Sequence, residues 1–136
     1  MKTINYFCIL LLCLNLTYCS KNQHDLDKAA CAFVEATIRL DKETLLSLVS
    51  DSTAIDINQE FIDLESKVEL IQEEIKKYSI STQVVDRDIN EKDKYAIISV
   101  KMEIKGKNSL EKEFLIPFRY IDERWLIVSL NHYYNH

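Results

Sequence analysis

Hydrophobic positions follow a helical period in the first half of the chain and an alternating period in the second half. From Asp25, a candidate N-cap, apolar side chains recur at intervals of three and four and predict a first helix. This stripe comprises Leu26, Ala30, Phe33, Thr37 and Leu40. Asp41 is a second candidate N-cap, and the residues after it predict a short helix that ends by Asp51.

Two further segments precede the alternating part of the chain. The stretch DSTAIDINQ, which begins at Asp51, lacks helical periodicity, so we expect a loop there, or a loop with a short strand over Ala54 to Ile57. A long stripe then predicts a packing helix, in which residues 66–69, SKVE, fit a capping box if the helix restarts there. Its members are Phe61, Leu64, Val68, Ile71, Ile75 and Tyr78. Glu73 and Lys77 have the i, i+4 spacing of an ion pair on the solvent-exposed face of this helix.

After Tyr78 the period falls to two, which predicts β-strands. The segment ISTQVVDRDI predicts a first strand, and KYAIISVKMEIKGKN predicts a second strand followed by a hairpin turn at Gly106. The dry row of the second strand comprises Ala96, Ile98, Val100, Met102 and Ile104. LEKEFLIPFRYID predicts a third strand, in which Pro117 marks an edge or a bulge because proline cannot donate to a ladder. Asp122 to Arg124 then turns the chain into a last strand, WLIVSL.

Helices followed by an antiparallel meander predict the α+β class. The helix stripes need an apolar surface to cover, and the alternating rows of the strands supply one. We therefore expect a single domain over residues 25–136, in which N-terminal helices pack on one face of a curved antiparallel sheet of about four strands.

Charge narrows the classes of partner. The chain holds 22 acidic and 17 basic residues, for a formal net charge of -5. Nucleic-acid binding through phosphate neutralisation needs a clustered basic face, which this balance disfavours. An acidic, solvated surface is the interpretation that remains.

The N-terminus has the layout of a targeting segment. Lys2 precedes a short apolar run from Phe7 to Leu14, which is too short to span a membrane as a helix and is typical of a secretory signal. The residues LTYC, 16–19, resemble the cleavage box of a bacterial lipoprotein, with Tyr18 where that family usually has a small residue. The resemblance implies a signal peptide over 1–18, lipidation of Cys19 and a short tether over 19–24. The alternative is ordinary cleavage, which releases a soluble protein.

The four cysteines fit this interpretation better than a disulfide framework. Cys8 and Cys13 lie in the segment to be removed, and lipidation would occupy Cys19. Cys31 then remains, on the face of the first helix, so neither a disulfide scaffold nor a cysteine-ligated zinc site is expected. A bridge between Cys19 and Cys31 requires that lipidation does not occur.

The order of elements resembles the cone fold of nuclear transport factor 2, ketosteroid isomerase and the small polyketide cyclases. The residues that carry it are AACAFVEATIRLDKETLLSLVS, KKYSI and DERWLIVSL. Within that group the chain is similar to short bacterial lipoproteins with a lumazine-binding-like, or cystatin-like, domain of unknown function. The resemblance implies a cone with an open mouth and a place in the bacterial cell envelope, at the outer membrane or cell surface. It implies no single activity, because the fold hosts enzymes, ligand binders and association modules.

Two hypotheses of function follow. The first is a binding module that holds a small apolar ligand or peptide, lined by Phe33, Tyr78, Phe118 and Trp125. The second is an interaction protein whose sheet associates with a second copy or another envelope protein. An isomerase-like or cyclase-like enzyme needs a base and a donor inside the cone, and the Ala96 row offers neither. We therefore expect no catalytic residue and no cofactor.

Two histidines have a spacing that could bind zinc. His132 and His136 are four residues apart, as in zinc-binding helices. They stand in NHYYNH, after the last strand and without a carboxylate in the motif, so we interpret them as part of a terminal tail and expect no metal site.

The anchor is tested by intact-mass spectrometry of the membrane fraction from the native host. We expect the mass of a chain that starts at Cys19 and carries acyl chains. Cys19→Ala should move the protein off the membrane, because several acyl chains are needed for durable anchoring. An unmodified mass in the soluble fraction would refute the lipoprotein interpretation.

Overall fold

The computed structural model describes residues 23–106 and 108–129. The predicted signal peptide over 1–18, Cys19, His132 and His136 lie outside these residues. Helix α1 occupies residues 23–39, followed by α2 (Lys42–Leu48), α3 (Asp51–Leu64) and α4 (Lys67–Ile75). Because residue 23 is already helical, Asp25 lies inside α1 and is not its N-cap.

The predicted cap of α2 is confirmed. The Asp41 carboxylate accepts hydrogen bonds from the Thr44 backbone N–H at 3.3 Å and from the Thr44 hydroxyl at 2.6 Å. These bonds favour the ionised carboxylate and hold the pKa of Asp41 below its ordinary value. The cap starts α2 in the position from which Leu45 is buried in the core.

The loop or strand expected after Asp51 is wrong, because this segment forms α3. The Ser50 hydroxyl accepts the Thr53 backbone N–H and caps the helix, a role for which serine is well suited. Only Thr53 and Ile57 are buried along α3. The helix therefore has a narrow contact face, which explains why its period was missed.

The single long helix predicted from Phe61 to Tyr78 is also wrong, because the chain breaks between α3 and α4. Glu65 has a φ of 44°, and its backbone N–H donates to the Phe61 carbonyl, which ends α3. Ser66 makes no side-chain cap bond, so the capping box does not form. No residue of α4 is buried.

The ion pairs of α4 differ from the predicted one. The ammonium groups of Lys76 and Lys77 lie 2.8 and 2.9 Å from the carboxylates of Glu73 and Glu74, respectively. Glu73 thus pairs with Lys76 rather than with Lys77. These exposed pairs hold α4 weakly, in keeping with its lack of buried residues.

Four strands form an antiparallel meander in the order β1-β2-β3-β4, which confirms the α+β prediction. Their bounds are β1 (Ser79–Asn90), β2 (Tyr95–Lys105), β3 (Leu110–Ile121) and β4 (Arg124–Ile127). The helices cover one face of this curved sheet. On that face Ala96, Ile98, Val100 and Met102 are at most 1% exposed, as is Phe118 of β3. The predicted dry row is therefore the centre of the core.

A bulge in β1 ties the sheet to α1. The register with β2 shifts between Val84 and Asp86, so that Arg87 comes to pair with Ile98 of the core row. The Arg87 guanidinium then forms two parallel bonds to Asp27 of α1, Nε to Oδ1 at 2.9 Å and Nη2 to Oδ2 at 2.6 Å. This bidentate pair raises the pKa of Arg87 and fixes the orientation of α1 over β1.

Pro117 lies in β3, an inner strand by its position in the sheet, but at a point where the β4 ladder does not reach it, so that side of β3 is an edge there as predicted. Its carbonyl accepts the Val128 N–H at 3.0 Å, so its backbone faces the side on which β4 lies. The β4 ladder covers β3 only from Phe118 to Ile121. Proline is tolerated because its missing N–H falls just past the end of that ladder.

Gly106 follows β2 at the predicted turn, but a close contact gives a further reason for glycine there. A Cβ at this position would overlap ring atoms of Tyr78, the residue that precedes β1. The glycine therefore lets the backbone at the end of β2 approach the aromatic ring.

Gly106→Ala should lower the free energy of unfolding by about 1–3 kcal/mol, because the Tyr78 ring has to move. Urea denaturation measures this change. In the Tyr78→Ala background the same substitution should cost far less, since the ring is gone. An equal cost in both backgrounds would show that the contact is not the reason for glycine.

Candidate functional site

The corner between α2 and α3 is hydrogen-bonded to the end of the sheet. The Ser50 N–H donates to the Ile127 carbonyl at 2.9 Å, next to a parallel bridge between Val49 and Ile127. Two residues past β4, the Ser129 N–H donates to the Thr53 hydroxyl oxygen at 3.1 Å. These bonds hold the first turn of α3 against the chain that leaves β4.

A cavity of about 340 Å³ lies beside this junction, between α1, α3, the middle of β3 and the end of β4. Apolar residues from these elements and from α2 form most of its lining. These residues are Phe33, Leu40, Leu45, Ile57, Phe61, Leu64, Leu115, Ile116, Pro117, Ile127 and Val128. Because Pro117 lacks an N–H, it presents no backbone donor to this apolar space.

Thr53 contributes a polar group to this lining. The side chain is 6% exposed, and its oxygen accepts from the Ser129 N–H and from the Ser50 hydroxyl at 3.0 Å. With these bonds its own hydroxyl hydrogen is free to rotate toward an acceptor in the cavity. The cavity can therefore combine apolar contact with one hydrogen bond to a ligand.

The charged groups among the described lining residues are both acidic. Asp56 and Glu60 are exposed and lie one turn apart on α3, so their carboxylates border the same part of the mouth. The ammonium of Lys42 lies 5.6 Å from the ring centroid of Phe61, which is itself a lining residue. Two carboxylates of one helix therefore border the mouth, and the Lys42 ammonium contacts the Phe61 ring nearby.

The structure separates the four aromatic residues expected in a pocket. Phe33 lines the cavity, whereas Phe118 is 0% exposed within the core. Tyr78 packs near Gly106 at the far end of β2, and Trp125 packs edge-on against Tyr120 with ring centroids 5.3 Å apart. Ligand binding by these residues stays a prediction, and Phe33 is the one that the cavity places in a position to make contact.

The cavity-lining residues that the sequence did not indicate as site residues lie on α3. Thr53, Ile57, Phe61 and Leu64 follow a helical spacing, and all four line the cavity. Periodicity did not indicate this spacing, because the first of the four residues, Thr53, is polar. Thr53 and Ile57 also lie in the stretch for which a loop was expected. Ser50 three residues before Thr53 was the available signal, since this spacing is that of an N-cap and its N3 partner.

Residues 23–106 and 108–129 bring no three His, Cys, Asp or Glu side chains together in a way that could hold a metal ion. Over the same residues no helix is long and apolar enough to cross a membrane. Cys31 carries a free thiol and packs against the core.

Comparison with known proteins bears on the fold. No family model and no curated protein matches the chain. Among solved structures it is similar to a Campylobacter jejuni protein described as an NTF2-like transpeptidase, with a TM-score of 0.53 and 18% sequence identity. The match covers 79% of this chain and 98% of that one. The fold is NTF2-like. At this identity the likeness shows the NTF2-like fold alone and transfers no activity.

Thr53→Val should destabilise the protein by about 1–3 kcal/mol, because it removes the acceptor for the Ser129 N–H and the Ser50 hydroxyl at a buried site. Chemical denaturation followed by circular dichroism measures this loss. Thr37→Val is the matched control, since Thr37 also lines the cavity but is exposed and bonds within its own helix, to the Phe33 carbonyl. The control should change stability by less than about 0.5 kcal/mol. Equal effects of the two substitutions would contradict a structural role for the Thr53 bonds.

Proposed function

We propose that this protein is a binding module of the bacterial cell envelope, anchored through lipid on Cys19, whose cavity holds a small apolar ligand or the side chains of a peptide. The observation that carries the binding function is the apolar cavity between α1, α3, the middle of β3 and the end of β4. The anchoring rests on the resemblance of the N-terminal residues to a lipoprotein signal. The two parts of the proposal are independent, and either can fail alone.

The dimensions of the cavity favour a small ligand. Ligand sites in proteins commonly enclose about 300–1,000 Å³, and this cavity, at about 340 Å³, lies at the lower end of that range. Its walls are mostly apolar, with Thr53 as an oriented polar group. Such a lining favours contact with an apolar body and fixes its orientation through one or two polar interactions.

The NTF2-like fold is compatible with this proposal and does not select it. Enzymes, ligand binders and association modules share this fold, so function has to be argued from the cavity. The transpeptidase description belongs to the Campylobacter jejuni protein. For this chain we propose binding and no reaction.

The alternative, association through the sheet, has weaker support. Leu115 and Ile121 are 56% and 37% exposed on β3 and alternate with the core row, but Leu115 also borders the cavity. They are six residues apart, which in a strand is about 20 Å, with Arg119 between them on the same face. Lys101 and Glu111 form an ion pair at 2.9 Å on that face. A stable dimer face needs a larger continuous apolar patch than this.

Binding is tested with the neutral apolar fluorophore N-phenyl-1-naphthylamine and the chain from residue 19 onward carrying Cys19→Ala. We expect saturable fluorescence enhancement, because the probe leaves water for the apolar cavity. Thr37→Trp should reduce the affinity at least tenfold, since an indole at this exposed lining position obstructs the cavity.

Ser47→Trp is the matched control for this experiment. Ser47 is exposed on α2, bonds to the Thr44 carbonyl of its own helix and does not line the cavity. This control should bind the fluorophore like the parent chain. Absence of saturable binding, or equal losses in both tryptophan variants, would argue against the cavity as the site.

A further inference from the structure

We infer that the ligand of this cavity is a neutral molecule whose buried end carries a hydrogen-bond acceptor, such as the carbonyl oxygen of a ketone or an ester, and that the Thr53 hydroxyl donates to it. The inference rests on the proposed binding function and adds the chemical class of the ligand. It follows from the hydrogen bonds and the burial of Thr53, and it does not depend on the charged groups at the mouth.

The Thr53 hydroxyl is already used twice as an acceptor. The Ser50 hydroxyl donates to its oxygen at 3.0 Å, and the Ser129 backbone N–H donates at 3.1 Å. A threonine hydroxyl has two acceptor lone pairs and one donor hydrogen, so these bonds leave the hydrogen. Within residues 23–106 and 108–129 this hydroxyl donates to no acceptor. Toward a ligand the group is therefore a donor.

The burial of this donor gives it a role in binding. Thr53 is 6% exposed and lines the cavity. A buried donor that lacks an acceptor costs free energy, whereas a ligand that supplies the acceptor removes this cost. A carbonyl group at this point gains a hydrogen bond that an alkenyl group of the same shape does not gain. The cavity should therefore distinguish two ligands that differ only in this oxygen atom.

Thr37 is a second threonine of the lining, and its hydroxyl is in the opposite state. It donates to the Phe33 carbonyl at 2.8 Å within α1, and the residue is exposed. Its hydrogen is therefore satisfied without a ligand. Of these two threonines, Thr53 is the one whose hydroxyl gains a hydrogen bond when a ligand supplies an acceptor.

The surroundings of Thr53 favour a neutral acceptor over an anion. Ile57 lies one turn further along α3 at 9% exposure, and Ile127 of β4 is 1% exposed; both line the cavity. A carboxylate or phosphate beside these side chains would lose its hydration, and one hydroxyl could replace little of it. A carbonyl oxygen is more weakly hydrated, so a single hydrogen bond replaces most of what it loses.

The experiment uses three naphthalenes of the same shape: 2-acetylnaphthalene, 2-isopropenylnaphthalene and 2-naphthoate. The first carries a carbonyl oxygen, the second a methylene group in its place, and the third a carboxylate. Their affinities are measured by displacement of N-phenyl-1-naphthylamine from the chain that begins at residue 19 and carries Cys19→Ala. The readout is the affinity for the ketone divided by the affinity for the alkene, because this ratio cancels changes that affect the whole cavity. 2-Naphthoate should bind about tenfold more weakly than the ketone, or weaker still.

Thr53→Val should lower the ratio of ketone to alkene affinity about three- to tenfold, because it keeps the shape of the side chain and removes the donor. Thr53→Ser should keep the ratio, since it retains the hydroxyl. Thr37→Val is the matched control, because it removes from the same lining a hydroxyl whose hydrogen is bonded within α1. This control should also keep the ratio.

A second measurement needs no variant and decides the case in which Thr53→Val does not fold. 2-Acetylnaphthalene labelled with carbon-13 at its carbonyl is bound to the parent chain, and its NMR spectrum is recorded. We expect the carbonyl resonance of the bound ketone at a higher chemical shift than in hexane, because a hydrogen bond to the oxygen deshields the carbonyl carbon. A bound resonance at the hexane position would overturn the inference.

The outcomes separate this inference from the proposed function. If the fluorophore binds but Thr53→Val leaves the ratio unchanged, or Thr37→Val lowers it equally, the inference is overturned and the binding function is retained. Tightest binding by 2-naphthoate would also overturn it, since the ligand would then be an anion. If the fluorophore itself does not bind, the proposed function fails, and the inference fails with it.

Discussion

The position of α3 against the sheet depends on hydrogen bonds to the end of β4 and to the residues that follow it. β4 has only four residues, so it covers one end of β3 and leaves the rest of that edge to other elements. The bonds from Ser50 to Ile127 and from Ser129 to Thr53 attach the α2–α3 corner to this short strand. They set the distance of α3 from the sheet, and the cavity is the space that α3 encloses with β3 and α1. The cavity thus results from the shortness of β4 and from the hydrogen bonds that join its end to the first turn of α3.

Hydrophobic periodicity correctly predicted the elements in which the side chains of one face are fully buried. The row from Ala96 to Met102 is at most 1% exposed, and its alternation predicted β2 correctly. Hydrophobic periodicity did not predict α3, because this helix borders a cavity and does not pack along a continuous buried face. Its apolar Ile55 and Ile62 are 70% and 60% exposed, whereas the polar Thr53 is buried. For α4 the stripe was present but is covered only in part: Val68 and Ile75 are half-buried, and Ile71 is 39% exposed. A stripe shows that a helix is amphipathic and does not show what it packs against.

The candidate pocket residues illustrate a different limit. Large aromatic side chains were expected around a ligand, yet the structure uses Phe118 to fill the base of the sheet. Close packing explains this, because a small domain needs its largest side chains to leave no voids in the core. Residues at the mouth are under no such demand and can be polar, as Asp56 and Glu60 are. The sequence therefore did not predict that Asp56 and Glu60 border the cavity, because this placement depends on α3 being a helix.

The apolar wall of the cavity has an energetic consequence. An apolar wall next to empty space forgoes the dispersion contacts that a packed neighbour would supply, and a ligand that fits restores them. Affinity can therefore come from the interior, where Ile57 and Phe33 are preformed parts of the helices. A charged group inside this space would be costly, because the Thr53 hydroxyl alone could not replace the hydration that the charge would lose. An apolar wall with one oriented polar group is thus the arrangement that this small domain can hold without weakening its core.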